Sequence, residues 1–198
     1  MIVAITDRSL LTEETLFFER VLALIESPVR YVILREKDWE PDVLIAFLLQ
    51  LMGRSDLTCR KIVIHSHVTV ARHLGLTYVH LPEHRIDEVQ KSHTQYSYSV
   101  HRLDQIEAIN QKASLFNLIS PVAPSTCKPQ AQPVTSELLL QARALSKAPL
   151  IPLGGITPTV ASQLKSMGFS HIAMRSELMT TADLESTLKP YIDLGFDQ

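Results

Sequence analysis

The chain has 198 residues, 45% hydrophobic and 20% charged, which suits one core of ordinary globular composition and excludes a disordered chain. Its 19 Lys and Arg nearly balance 21 Asp and Glu, for a net charge of −2. That balance supplies no basic face for DNA or RNA, so nucleic acid is not an expected partner.

Short β-branched runs alternate with stretches of helical periodicity, the pattern of parallel strand–helix units. A first strand is predicted at 2–6, and a helix opening at Thr12 places Phe17, Val21, Leu24 and Ile25 on one face. Strand two at 30–34 precedes a helix at 42–52, and strand three at 61–65 precedes a helix around 70–74. Strand four, at 77–81, is followed by a brief helical turn near 87–91. Strand five at 96–100 leads to a helix with Leu103, Ile106 and Ile109 at core spacing, and strand six spans 115–120. Residues 121–134 hold four of the eleven prolines and read as a functional loop, since proline suits neither a helix interior nor a central strand. A helix follows at 136–146 and strand seven at 150–153, with Thr157 and Pro158 as N-cap and first-turn proline of the next helix. Strand eight at 171–175 precedes a last helix starting near Thr180, where Asp183 three residues on resembles a capping box, and ending before Gly195. Eight strands alternating with helices predict an α/β fold, a (β/α)8 TIM barrel in one compact domain over 1–198, with a doubly wound open sheet as the alternative.

Two cysteines, Cys59 and Cys127, are too few for a disulfide framework and point to a reducing compartment. The N-terminus lacks a secretion signal, and the most apolar segment, 43–52, is about half of what a bilayer requires. A cytoplasmic protein that does not engage membranes is the expectation.

A barrel carries its active site at the C-terminal ends of its strands. There strand two ends in Arg35, Glu36 and Lys37, strand three in His65, Ser66 and His67, and strand four in His80. Strand five ends in Ser97, Ser99 and His101, and strand eight in Arg175 and Ser176. Alternation predicts that His65 shares a face with His67, and Ser97 with Ser99 and His101. Histidine titrates near neutrality, so His65, His67 and His101 are candidate acid–base catalysts. No Cys, Asp or Glu is placed to complete a zinc site with His65 and His67, so no metal is expected. Gly154 and Gly155 end strand seven and let a backbone N–H approach a phosphate, with Arg175 and Ser176 beside them. Lys128, in the long loop after strand six, is expected to close over a bound anion.

Several of these segments match one family in order. Val3-Ala4-Ile5-Thr6-Asp7-Arg8, Leu34-Arg35-Glu36-Lys37, Val79-His80-Leu81, Ser99-Val100-His101, the loop Ser120-Pro121-Val122-Ala123-Pro124-Ser125-Thr126-Cys127-Lys128, and Leu153-Gly154-Gly155-Ile156 make the chain resemble the thiamine phosphate synthase and TenI family of small (β/α)8 barrels. The resemblance implies that Arg35, Lys37, Ser99, Ser125 and Lys128 contact a pyrophosphate or pyrimidine portion, while Gly154, Gly155 and Ser176 hold a thiazole phosphate. It also implies a homo-oligomer. Thiamine phosphate synthases of the family join the two portions by displacing magnesium pyrophosphate. The chain departs from that pattern: the strand-three Asn-Asp motif is His65-Ser66, the second magnesium Asp is Arg85, and the strand-two Gln is Ile33. A histidine and an arginine offer no carboxylate to Mg²⁺. The tautomerases of the TenI branch need an acid–base residue in place of the metal, yet the strand-six His that resembles their catalyst is Pro121 here.

The leading expectation is therefore a TenI-like thiazole tautomerase without cofactor, in which His65, His67 or His101 moves the proton. A divergent thiamine phosphate synthase, with Mg²⁺ possible as cofactor, is the alternative. A catalytically silent barrel binding thiazole phosphate or thiamine phosphate is the third reading.

Overall fold

The computed structural model describes residues 1–88, 93–124 and 130–197. Eight parallel strands run β1 (Ile2–Ile5), β2 (Tyr31–Leu34), β3 (Ile62–His65), β4 (Tyr78–Leu81), β5 (Gln95–Val100), β6 (Asn117–Ile119), β7 (Leu150–Pro152) and β8 (Ile172–Met174). Strands β1 to β7 pair in sequence order, β8 pairs with β1, and an isolated bridge joins the β7 and β8 edges, so the sheet is a (β/α)8 barrel and not an open sheet. The closing seam is thin, with a single bridge from Leu153 to Ala173. The Leu153 N–H bonds Ile119 of β6, so alternation turns residue 152 towards β8, where Pro152 has no N–H to donate.

Nearly every strand residue is buried, because alternate residues face either the barrel interior or the surrounding helices. Val3, Ile5, Tyr31, Ile33, Val63, Phe116, Leu118, Ile151 and Ala173 form the interior cluster. Tyr31 packs edge-on to Tyr78 at 5.2 Å and against Phe116 at 5.6 Å, closing the barrel at the N-terminal ends of the strands. The second cluster joins the outward strand residues to the helices. Around it, α1 (Glu14–Glu26) buries Phe17, Val21, Leu22, Leu24 and Ile25, and α2 (Pro41–Arg54) buries Leu44, Phe47, Leu48 and Leu51. Trp39 packs on Phe17 and Phe47 and so pins the segment that follows β2.

The remaining helices are α3 (Thr58–Lys61), α4 (Val68–His73), α5 (Leu103–Ile109), α6 (Ser136–Leu145), α7 (Pro158–Ser166), α8 (Ser176–Thr180) and α9 (Leu184–Asp193). The predicted cap of α7 is present: Thr157 accepts from the Val160 N–H, with Pro158 in the first turn. The last helix, expected to start near Thr180, is α9 and starts at Leu184, while α8 ends at Thr180; Asp183 is itself the N-cap of α9, accepting from the Ser186 N–H, so the capping box from Thr180 is corrected. Five residues are too few for α8 to show a period. After β4, a 3₁₀ turn at Glu83–Arg85 takes the place of the helical turn expected near 87–91, of which 89–91 lie outside the described residues. No helix among the described residues is long and apolar enough to cross a membrane.

Candidate active site

Parallel strands bring all their C-terminal ends to one rim, and a cavity of ≈ 470 Å³ opens there. It is lined by Arg35 after β2, His65 at the end of β3, Ser99 in β5 and His101 just beyond it. Gly154 and Gly155 line it after β7, and Arg175 and Ser176 after β8. Ile5, Ile33, Leu118 and Ala173 add an apolar part that continues the interior cluster.

His67 and Lys37 are not among the lining residues. Strand β3 stops at His65, and Ser66 takes φ 67°, so the alternation expected to carry His67 onto the face of His65 ends there and His67 becomes the N-cap residue of α4. Lys37 is exposed in the turn after β2. Ser125, Cys127 and Lys128 lie outside the described residues.

Strands β2 and β8 flank β1, so Arg35 and Arg175 stand on either side of it. Arg175 Nη1 lies 3.4 Å from Asp7 Oδ2. The Arg35 guanidinium makes no hydrogen bond among the described residues. Burial lowers its pKa, as does the charge of Arg175, against the opposing pull of Asp7 and Glu36. Its backbone is held by Thr6, whose Oγ1 accepts the Arg35 N–H at 2.9 Å and donates to Glu36 Oε1 at 2.6 Å. Two guanidiniums in one half-enclosed cavity repel each other, and an anion between them relieves that repulsion.

The histidines divide by environment. Burial first, then the charges of Arg35, Lys37, His67 and Arg85, lower the His65 pKa to about 3. His80, which also lines the cavity although it is buried, is held well below the ordinary value by burial, His65 and Arg35. His101 sits at the mouth: Nδ1 donates to the Ser120 carbonyl at 2.6 Å, and Nε2 lies 4.0 Å from Glu83 Oε2. A buried neutral histidine makes the native state refuse a proton that the unfolded chain accepts. Stability is therefore full above pH 6.5 and falls as pH drops from 6.5 towards 3, the His65 window. At pH 5 His65 removes about 2 kcal/mol of stability, which urea unfolding of the wild type and of His65→Gln at pH 7 and pH 5 separates from the loss due to His80.

The glycine pair has a steric role that spacing did not reveal. Gly155 has φ +65°, and a Cβ there would lie 2.5 Å from the Pro124 carbonyl oxygen and 2.8 Å from Ala123. The turn after β7 is thereby pressed onto the segment after β6, which it also holds through Val122 N–H to Leu153 and Ala123 N–H to Gly154. That contact sets Pro121 and Pro124 into the cavity wall. The Gly155 N–H itself has no hydrogen-bond partner among the described residues.

The donor set does not fit Mg²⁺. Nearby carboxylates are committed: Glu177, which lines the cavity, accepts from the Tyr191 hydroxyl at 2.9 Å, Asp7 holds Arg175 and Ser9, Glu36 holds Thr6 and the Arg8 N–H, and Glu88 holds Arg85. Arg85 places Nη1 2.6 Å from the Ser66 carbonyl, so a guanidinium occupies the junction of β3 and β4. Among the described residues no three His, Cys, Asp or Glu side chains gather into a metal site.

A (β/α)8 barrel whose C-terminal rim opens into a half-enclosed cavity with two guanidiniums and three histidines has the architecture of a barrel enzyme for an anionic small molecule. The chain belongs to the thiamine monophosphate synthase (TMP-TENI) family, whose profile matches residues 2–178. A putative thiamine-phosphate synthase 2 of Aquifex aeolicus is 27% identical over 158 residues, 78% of this chain and 84% of that protein. Among solved structures, a thiamine phosphate pyrophosphorylase from Pyrococcus furiosus superposes with a TM-score of 0.79 at 19% identity, covering 98% of this chain and 94% of that one. One from Bacteroides thetaiotaomicron gives 0.69 at 20% identity, with 99% and 94% covered. At these identities the two structures are similar in fold.

Proposed function

We propose that this protein is a pyrophosphate-displacing transferase that joins a pyrimidine pyrophosphate to a thiazole phosphate. The thiazole nitrogen attacks the pyrimidine methylene carbon, a C–N bond forms, the C–O bond breaks, and pyrophosphate leaves with the electron pair. The observation that carries the reading is the pair of guanidiniums lining one cavity, with the Arg35 fork free of hydrogen bonds among the described residues. Arg35 and Arg175 neutralise the phosphate-bearing groups, and Arg35 meets the negative charge that grows on the leaving oxygen. The names of the relatives support the same chemistry. No residue set for Mg²⁺ enters this reading, and the resemblance to the family is what assigns Lys128 and Ser125 to the same anion.

A proton-transfer enzyme, a thiazole tautomerase, is the second reading. Of the three histidines expected to serve it, His67 does not line the cavity and His65 is a weak base, which leaves His101. Its Nδ1 proton is committed to Ser120, so Nε2 is the nitrogen that exchanges.

The test is purified protein with hydroxymethylpyrimidine pyrophosphate and thiazole phosphate, with Mg²⁺ or with EDTA, read for thiamine phosphate by chromatography. Product in both arms is expected. No product in either arm overturns the transferase reading. Turnover of carboxylated thiazole phosphate that is lost in His101→Gln would then establish the second. Binding without any turnover would leave a silent carrier.

A further inference from the structure

The apolar run at 43–52 exceeds what the barrel core uses. Helix α2 turns Leu44, Phe47, Leu48 and Leu51 inward, and its opposite face carries Val43, Ala46, Leu49, Gln50 and Gly53, all exposed. A helical period gathers those five within about 120° of arc, so they form one outward stripe along the helix. None is charged and only Gln50 is polar, whereas the outward face of a surface helix is ordinarily polar. On α1, α5, α6 and α9 the exposed residues include Glu19, Glu107, Arg143 and Lys189. Leu49 is 52% exposed and Val43 47%, and with Leu57 in the turn after α2 they make three of the five large hydrophobic residues exposed among the described residues. Such residues scattered singly are ordinary, but gathered on a helix that is apolar on both sides they mark a face that is covered.

The charges that bound the stripe differ in sign from end to end. Glu40 and Asp42 are exposed at the N-terminal end of α2, and Glu13 and Glu14 stand at the same end of α1. At the other end Arg54 and Arg60 outnumber Asp56. Between the two helices a groove of ≈ 670 Å³ is lined by Phe18, Phe47, Leu49, Glu14, Glu19 and Arg54. Arg54 leans over it, 5.8 Å from the centre of the Phe18 ring and 3.8 Å from Glu19 Oε1, with its side chain still 56% exposed. An anionic lipid surface is a poor match for this face, because the four carboxylates at one end repel it.

A face that is apolar along its length and opposite in charge at its two ends complements itself when one copy is turned end to end, which is what a two-fold axis does. With the axis across the middle of α2, Asp42 meets Arg54 of the second copy, Val43 meets its Gly53, and Ala46 meets its Gln50. Gly53 leaves room for that approach, since a Cβ there would meet nothing within 4 Å. We propose that the outward face of α2 docks a second copy of this chain, the two helices packed antiparallel about a two-fold axis. Barrel helices run against the strands, so this pairing opens the two cavities at opposite ends of the dimer.

Sedimentation velocity on the full chain, from about 1 to 100 μM, reads the association directly, and a dimer at the upper end is expected. A wild type that stays monomeric overturns the proposal, and co-sedimentation of that monomer with anionic vesicles would give the face to a membrane instead. Leu49→Glu, at a position exposed in the monomer, abolishes the dimer with an unchanged circular dichroism spectrum; a dimer that persists in this variant overturns the proposal by placing the contact elsewhere. The antiparallel register has its own readout. Asp42→Arg and Arg54→Asp each weaken self-association about tenfold, because like charges then face each other at both ends. An equimolar mixture of the two variants recovers the dimer, since every end again meets its opposite. Failure of the mixture to recover overturns the two-fold pairing.

Discussion

Replacing Arg35 by alanine lowers kcat/KM by about 10²–10³-fold with the fold intact, the loss typical of removing one preorganised charge stabiliser from a water-poor site. The guanidinium is already desolvated and held beside a second one, so its electrostatic cost is met in the folded protein before any ligand arrives. An incoming anion therefore finds a charge without a competing hydrogen-bond partner among the described residues. Arg175→Ala costs less, because Arg175 is shared with Asp7 at 3.4 Å. Arg35→Lys recovers only part of the loss, since an ammonium lacks the planar fork that pairs with two phosphate oxygens. Steady-state kinetics beside circular dichroism measures all three; an Arg35→Ala enzyme with wild-type kcat/KM would falsify the assignment of the anion end.

Gly155→Ala is expected to destabilise the protein by about 3 kcal/mol and to weaken ligand binding together with stability. Two costs combine at that position, the left-handed backbone at φ +65° and a Cβ 2.5 Å from the Pro124 carbonyl oxygen. Gly75 separates them, because it has nearly the same backbone at φ +68° and nothing within 4 Å of a Cβ. Gly75→Ala should thus cost only the backbone part, about 1 kcal/mol, with unchanged ligand affinity. Denaturant unfolding of both variants checks the pair. Equal losses would show that the contact between the two loops contributes nothing.

The sequence by itself determined the barrel. Strands buried on both sides must be short apolar runs, and helices packed outside them must show a helical period, so 2–6, 30–34 and 77–81 were legible without any neighbour. The rim residues Arg35, His65, Ser99, His101, Gly154 and Arg175 followed, because a barrel sends every strand end to one face. What each of them does there was decided only by the tertiary structure. Ser66 at φ 67° ends β3 and parts His67 from His65, a backbone state no spacing encodes. Arg85 finds the Ser66 carbonyl across a sheet pairing, Gly155 meets Pro124 across another, and His80 gains its two serine partners from the neighbouring strand. The protonation of His65 and His80 likewise follows from burial and from charges on other strands. Periodicity reports which face a residue takes, whereas charge state, hydrogen-bond direction and steric need belong to contacts between segments distant in the chain.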